Sequence, residues 1–164
     1  DIDEMEDMLN DYLQFAKTQS KERSSSINLA NLFDEIKREI NNENFNLEFI
    51  DGIEFNGRNS AIKRCFVNII QNGLTYGKKV YVTIQKTSNR LIIFFEDDGP
   101  GIPSDQYKNV FKPFFRLDKS RNLNKSGVGL GLTIVEDIIN SHGGNIQLGK
   151  SKFNGLQIKV SLPF

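Results

Sequence analysis

Glu96-Asp97-Asp98-Gly99-Pro100-Gly101-Ile102 follows directly on the apolar run Leu91-Ile92-Ile93-Phe94-Phe95. The run is short, β-branched and aromatic, so it reads as a buried strand. It ends in an acidic pair and then Gly-Pro-Gly, which no regular element tolerates. A strand that delivers a carboxylate into a glycine-permitted turn is a common way to build a ligand pocket. The rest of the chain can be placed around that turn.

Before it lies a helix predicted over 59–75, opened by Asn59 or Ser60, with Ile62, Cys65, Phe66, Ile69 and Ile70 as its core stripe. At about 100° per residue, Asn68, Asn72 and Tyr76 fall along one edge of that stripe. Two asparagines in mid-helix cost a few tenths of a kcal/mol each against alanine, and their place beside the buried face favours a site over mere solvation. Residues 80–86 and 91–95 read as a strand pair, and a short helix follows over 104–110. Residues 112–126 have no periodic pattern and carry Lys112, Arg116, Lys119, Arg121 and Lys125; a loop this long is a functional lid or is disordered. Gly127-Val128-Gly129-Leu130-Gly131-Leu132 then opens a helix that runs to Ser141 and stops at His142-Gly143-Gly144. Strands over 145–150 and 155–162 close the chain.

Working back towards the start, 45–50 alternates as a strand, and Gly52 is expected to turn it onto a short partner over 53–55. A helix over 29–43 places Leu29, Leu32, Phe33, Ile36 and Ile40 on one face, with Asn28 as N-cap and Asn41-Asn42 as its end. Residues 20–27 read as a polar linker. Residues 1–19 form a helix with Ile2, Met5, Leu9, Tyr12 and Ala16 at three-four spacing, widened by Met8, Leu13 and Phe15. Either it folds back on its own domain or it joins an interdomain or intermolecular bundle; the breadth of the stripe favours the bundle. Strands and helices follow no regular βαβ order, so the fold class is α+β: a two-layer α/β sandwich, its mostly antiparallel sheet covered by three helices.

Composition narrows the function. The 21 basic and 21 acidic residues cancel, which weighs against nucleic acid as the main partner. The single cysteine, Cys65, sits in an apolar helix pattern and excludes an internal disulfide framework. No run approaches the roughly 18 apolar residues of a membrane span, and no signal peptide opens the chain. The start at Asp1, inside a helical pattern, suggests a fragment.

The motifs suit a purine nucleotide. Adenine offers a donor at N6 where guanine presents an acceptor, so a buried ionised carboxylate such as Asp97 accepts from the first and repels the second. Gly99 and Gly101 would let the backbone approach the ring, and Tyr76 could stack on it. Glycines 127, 129 and 131 before a helix offer N–H groups and a positive dipole end to phosphates. Arg116 and the loop lysines could meet a transferring phosphoryl group. Magnesium prefers oxygen ligands, and the amide oxygen of Asn72 would serve. No His/Cys cluster exists to hold zinc. His142 belongs to a helix stop and has no catalytic role.

Taken together, four weak motifs in this order resemble the sensor histidine kinases, the EnvZ-type osmosensor kinases in particular. Asn68-Ile69-Ile70-Gln71-Asn72-Gly73-Leu74-Thr75-Tyr76 resembles their N box, and Asp97-Asp98-Gly99-Pro100-Gly101-Ile102 their G1 box. Phe111-Lys112-Pro113-Phe114-Phe115-Arg116 resembles the F box, and Gly127 to Leu132 the G2 box. The likeness covers 28–164 and implies a Bergerat ATP-binding fold with nucleotide under a mobile lid. It implies ATP and Mg²⁺ as cofactors, Asn72 on the metal and Asn68 near the phosphates. Asp97 would bind adenine N6, with Gly99 and Gly101 in the turn and Tyr76 and Ile102 walling the ring. Arg116, with Leu117 beside it, would meet the phosphate tail, and Val128, Gly129, Leu130, Gly131 and Leu132 would line it. Phe111 and Phe114 would anchor the lid. Thr75 stands where many members carry Lys or Arg, so that job would pass to Lys78, Lys79 or the lid. Gly73 replaces the commoner Ala, a change that loosens the helix by about 1 kcal/mol at most.

The resemblance also implies partners: a phosphoacceptor helical hairpin of the same protein, homodimeric at full length, and a response regulator. No His-Glu or His-Asp pair is present, and 1–19 resembles the second hairpin helix, so this fragment is expected not to phosphorylate itself. The implied parent is anchored in a bacterial inner membrane with this part in the cytoplasm and not itself touching the membrane. Three alternatives stay open: an ATP-hydrolysing machine, an anti-sigma-type serine kinase and a degenerate interaction module. The first places a glutamate where Asn68 stands, the second has no use for the bundle helix, and the third would have lost Asn72, Asp97 or the glycines.

Overall fold

The computed structural model describes residues 2–48, 50–113, 115 and 131–164. Helix α1 spans Ile2–Lys21, strand β1 Ser25–Asn28 and helix α2 Leu29–Ile40. Two short strands follow, β2 over Phe45–Leu47 and β3 over Glu54–Gly57, and then α3 over Asn59–Tyr76. The remainder is β4 (Val80–Lys86), β5 (Arg90–Asp97), two 3-10 turns (Ser104–Gln106 and Asn109–Phe111), α4 (Gly131–Ser141), β6 (Asn145–Lys150) and β7 (Leu156–Pro163). The short helix expected over 104–110 is thus two separate 3-10 turns.

Strands β2-β4-β5-β7-β6 form one five-stranded sheet, antiparallel except for the β2–β4 pair. Alternation decides which face is buried: Leu91, Ile93 and Phe95 of β5 point inward with Val80, Val82, Ile158, Val160 and Leu162. Helices α2, α3 and α4 cover that face, the stripe of α3 burying Ile62, Cys65, Phe66, Ile69 and Ile70. Phe66 stacks on Phe33 of α2, with ring centroids 5.5 Å apart, and meets Phe95 of the sheet at 5.4 Å. This is the two-layer α+β sandwich expected, and Cys65 is a small core residue within it.

The caps of α2 follow the local signals. Asn28 Oδ1 accepts from the Asn31 N–H at 3.0 Å, and Asn41 closes the helix in the left-handed region at φ 45°. Elsewhere, contacts distant in sequence override local cues. Gly52 does not turn β2 onto β3: β2 runs parallel to β4, whereas β3 pairs with β1, Ile27 opposite Phe55. Both of those side chains are buried, so a partner from the presumed linker covers apolar surface that β2 could not. The linker expected over 20–27 is therefore mostly structured, its first residues ending α1 and its last forming β1.

Between those two pieces, Glu22 caps α3. The residue preceding that helix is Arg58, neither Asn59 nor Ser60, and its side chain makes no capping bond. Glu22 supplies the cap instead, its carboxylate accepting from the Ser60 and Ala61 N–H groups at 2.9 and 3.2 Å, where the helix dipole also favours negative charge. Helix α1 touches the domain through Tyr12, whose hydroxyl donates to Asp137 at 2.7 Å. Ile2, Leu9 and Leu13 are exposed. The helix thus makes one contact with its own domain and leaves these apolar side chains exposed; the side chains of Met5, Met8, Phe15 and Ala16 lie outside the described residues.

His142 ties the end of α4 to the start of α3. Its Nδ1 lies 2.7 Å from the Ile138 carbonyl, which can only accept, so Nδ1 carries the proton. Nε2 is then free to accept the Arg58 N–H at 3.0 Å. Burial pushes the imidazole below its ordinary value and the Arg58 charge adds to this, against the Ile138 bond and the Glu22 charge. A depressed folded value means that the unfolded chain takes up the proton first as pH falls. The stability from His142 is thus whole above its ordinary value of 6.5 and is lost as pH falls through the lower folded value.

Two outcomes follow for urea denaturation. Glu22→Ala lowers stability by about 0.5–2 kcal/mol, the usual cost of an N-cap, while Glu22→Gln, still an acceptor, loses less. The stability gap between the native chain and His142→Gln is wide at neutral pH and narrows as pH falls below 6.5; a gap independent of pH would contradict the depressed imidazole.

Candidate nucleotide site

Strand β5 delivers Asp97 to the end of the sheet, half-buried between α3 and the turn joining β6 to β7. Its Oδ1 accepts two backbone N–H groups, from Gly99 at 2.9 Å and Leu156 at 3.0 Å. Among the described residues no donor meets Oδ2, so the carboxylate has one oxygen held and one available. Burial raises the carboxyl above its ordinary value and the Asp98 charge adds to the rise, opposed by the bonds from Leu156 and Gly99. The neighbouring Asp98 is pulled the other way, chiefly by the Lys79 N–H. Its Oδ1 accepts from the Lys78 and Lys79 N–H groups at 2.7 and 2.9 Å and so fastens the turn between α3 and β4.

The glycines serve closer packing than the sequence suggests. A Cβ on Gly99 would lie 2.9 Å from the Tyr76 carbonyl oxygen, so its bareness admits the end of α3 rather than a ring. Gly73 is no mere loosening of the helix either. A Cβ there would meet Val80 Cγ2 at 2.5 Å and stand 3.6 Å from Asp97 Oδ2. Helix α3 is thus pressed onto the sheet beside Asp97, at the residue next to Asn72.

Asn68 and Asn72 are half-buried on α3, and neither side-chain amide has a protein partner among the described residues. Tyr76 is more open, at 39% exposure. The Thr75 hydroxyl bonds back to the Gln71 carbonyl at 2.8 Å, within its own helix. Ile102 is half-buried against the core. Gly101 takes φ 72°, in the left-handed region that favours glycine.

The orientation of α4 completes the geometry. Its end bonds to the start of α3 through His142 and Arg58, so the packed helices run antiparallel. Eleven residues rising about 1.5 Å each place Gly131 level with Asn68–Ile70 along α3. Gly131 and Leu132 therefore begin a helix whose N–H end lies towards the two asparagines. Arg116, Leu117, Val128, Gly129, Leu130 and the Phe114 anchor lie outside the described residues. Phe111 lies on the second 3-10 turn, its carbonyl accepting from Thr133 of α4 at 2.8 Å. A separate groove of about 1020 Å³ lies between α1, this turn, α4 and β6, lined by Tyr12, Phe111, Asp137 and Leu148 among others. None of Asn68, Asn72, Tyr76 or Asp97 lines it.

Two contributors escaped the sequence reading. Ser151, only 4% exposed, donates to the Asp97 carbonyl at 2.7 Å, and Gly155 packs directly on Asp97. The Asn154-Gly155 pair marks a hairpin turn, but nothing local says that this turn grips a residue more than fifty positions earlier. Among the described residues no group of three His, Cys, Asp or Glu side chains could hold a metal, and no helix is long and apolar enough to cross a membrane.

An α+β sandwich presenting one free carboxylate oxygen beside a helix edged with asparagines defines a nucleotide-binding domain, and residues 57–164 match the model of the histidine kinase-, DNA gyrase B- and HSP90-like ATPases. The chain belongs to that family. Within it, the relatives are sensor histidine kinases, and this is an ATP-binding domain of the histidine kinase type. Sensor histidine kinase CpxA of Escherichia coli strain K12 is 30% identical over 169 residues, covering 97% of this chain and 37% of CpxA. The histidine-protein kinase BaeS of the same strain is 33% identical over 116 residues, 69% of this chain and 25% of BaeS. The solved kinase domain of the E. coli osmosensor EnvZ superposes with a TM-score of 0.65 at 34% identity, covering 85% of this chain and 88% of that one. The mycobacterial sensor kinase MprB superposes at 0.74 over 86% of this chain and 97% of its own; at 22% identity it speaks for the fold alone. The chain spans roughly a fifth to two fifths of the length of the curated relatives it matches.

Substitution separates the packed glycine from the open one. Gly99→Ala is expected to cost about 1–3 kcal/mol in urea denaturation, as overpacking does. A Cβ at Gly131 meets nothing within 4 Å, so Gly131→Ala leaves stability unchanged or raises it by up to about 1 kcal/mol.

Proposed function

We propose that this chain is the catalytic ATP-binding domain of a two-component sensor histidine kinase. It transfers the γ-phosphoryl group of ATP to a histidine on a helical hairpin domain of the same protein, homodimeric at full length, for relay to a response-regulator aspartate. The observation that carries the reading is the Asp97 carboxylate, with one oxygen held by two backbone N–H groups and the other free to accept from an exocyclic amine. Guanine would set an acceptor oxygen against that acceptor.

The roles divide along the site. Tyr76 and Ile102 wall the base, Gly99 and Gly101 shape the turn beneath it, and Asn68 and Asn72 face the phosphates. Asn72 is suited to Mg²⁺: its side-chain amide has no protein partner among the described residues, and a single protein oxygen is a common complement of this ion. Bound there, the ion would neutralise phosphate charge. The start of α4 at Gly131 and Leu132 offers N–H groups to the phosphate tail; by their place in the sequence we assign Val128, Gly129 and Leu130 to the same phosphate role, and to Arg116, followed by Leu117, the supply of positive charge. Asn68 is an amide and no general base, so it does not activate water; transfer to a positioned side chain is favoured over hydrolysis. This distinguishes the chain from the hydrolysing members of its family.

The acceptor lies on another segment. The only histidine, His142, has both ring nitrogens engaged within the fold. We assign helix α1 to the second helix of an acceptor hairpin; its exposed Ile2, Leu9 and Leu13 support a bundle face there, which disfavours a serine-kinase relative without a bundle. The balanced charge gives nucleic acid no purchase. We place the parent in the bacterial inner membrane with this part in the cytoplasm.

Calorimetric titration with ADP and GDP in Mg²⁺ tests the reading. The native chain binds ADP and discriminates against GDP. Asp97→Asn, which turns a donor either towards the adenine amine or against the Gly99 and Leu156 N–H groups, weakens ADP by about 10- to 100-fold, as loss of a charge-assisted hydrogen bond does. Equal affinity for ADP and GDP, or an unaffected variant, would overturn it.

A further inference from the structure

We infer that Ser151 is a positioning residue for Asp97: its hydroxyl clamps the turn between β6 and β7 onto the end of β5 and thereby fixes which carboxylate oxygen faces the ligand. Its functional meaning rests on the nucleotide reading above, while the geometry stands alone. The regular pairing of β5 with β7 ends at Glu96 opposite Gln157. One residue further on, the Asp97 carbonyl would have no strand partner. Ser151 Oγ donates to it at 2.7 Å, extending the ladder by a side-chain bond across 54 positions of sequence.

A hydroxyl has one donor and two acceptor sites, and here all three are used. Besides donating to Asp97, Ser151 Oγ accepts the Phe153 N–H at 3.1 Å and the Gly155 N–H at 2.9 Å. The Ser151 N–H in turn donates to the Gly155 carbonyl at 2.9 Å. The turn is closed around this one oxygen, and the residue after it, Leu156, donates its N–H to Asp97 Oδ1. Backbone carbonyl and side chain of Asp97 are therefore held by the same short segment, from Ser151 to Leu156.

Two further contacts make the grip rigid. A Cβ on Gly155 would stand 2.3 Å from both the Asp97 carbonyl oxygen and Oδ1, so the loop lies directly against Asp97. On the outer side, Phe153 stacks on Tyr81 of β4, with ring centroids 4.3 Å apart, and Tyr81 is the register partner of Glu96. Gln157 donates to Glu96 at 2.6 Å just inside the loop. Removing the hydroxyl leaves the Asp97 carbonyl and two N–H groups without partners, and the Leu156 N–H loses its aim at Oδ1.

The test separates positioning from mere stability. In ¹⁵N-labelled, nucleotide-free protein, the Leu156 and Gly99 amide resonances shift together as Asp97 titrates, and Asp97→Asn abolishes both shifts. In Ser151→Ala the Leu156 amide ceases to follow Asp97, whereas Gly99, bonded only two residues away, still does. Ser151→Thr, which keeps the hydroxyl, restores the Leu156 response. ADP affinity falls by about tenfold or more in Ser151→Ala and recovers in Ser151→Thr, about tenfold being 1.4 kcal/mol. Should Ser151→Ala not fold, Gly155→Ala retains the hydroxyl but displaces the loop, and the same selective loss at Leu156 is expected. A Leu156 amide that tracks Asp97 as in the native chain, in whichever of the two variants folds, overturns the proposal. Native protein that shows the amide pattern but binds no ADP leaves the clamp standing and defeats the nucleotide reading.

Discussion

The end of β5 is the point on which the structure turns. There a carboxylate must be half-buried, held through one oxygen and left open through the other, and three elements converge to do it. Helix α3 comes in against Gly73, the Gly99 segment tucks under the end of that helix, and the Ser151–Gly155 loop closes from the far side. Each approach is close enough that a single added carbon would collide. A carboxylate left unpaired at this depth would take up a proton or shed the fold; two backbone N–H groups on Oδ1 offset part of that cost.

The opposite ends of the helices form a second centre of order. Glu22 caps α3, while His142 accepts from Arg58 and donates into the last turn of α4. This junction sets α3 and α4 antiparallel and in register. That register is what brings the start of α4 level with the asparagines of α3. The same junction includes the connector from α1, so the amino-terminal helix is joined to the domain by a helix cap as well as by the Tyr12–Asp137 bond.

Chemistry follows from residue types placed on this frame. On the proposed reading, an amide rather than a carboxylate at position 68 leaves binding and positioning as the work of the domain. In phosphoryl transfer those are the main contributions a protein makes.

Much of this was legible in the sequence. Helix and strand periods located α2, α3, β4, β5, α4, β6 and β7; Asn28 and Asn41 marked the ends of α2; and Asp97 announced itself as a carboxylate at a strand end followed by glycines. These are local signals, carried by residues within one or two turns of each other. What only the tertiary structure decided is the pairing of distant pieces: β1 with β3 rather than β2 with β3, Glu22 as the cap of a helix 38 residues away, and the grip of Ser151 on Asp97. The reasons for Gly73 and Gly99 were likewise hidden, because a glycine in a sequence does not say what its absent side chain makes room for. Hydrogen-bond valence and close packing are satisfied by whichever partner the completed fold brings near, and that choice has no signature at the residues themselves.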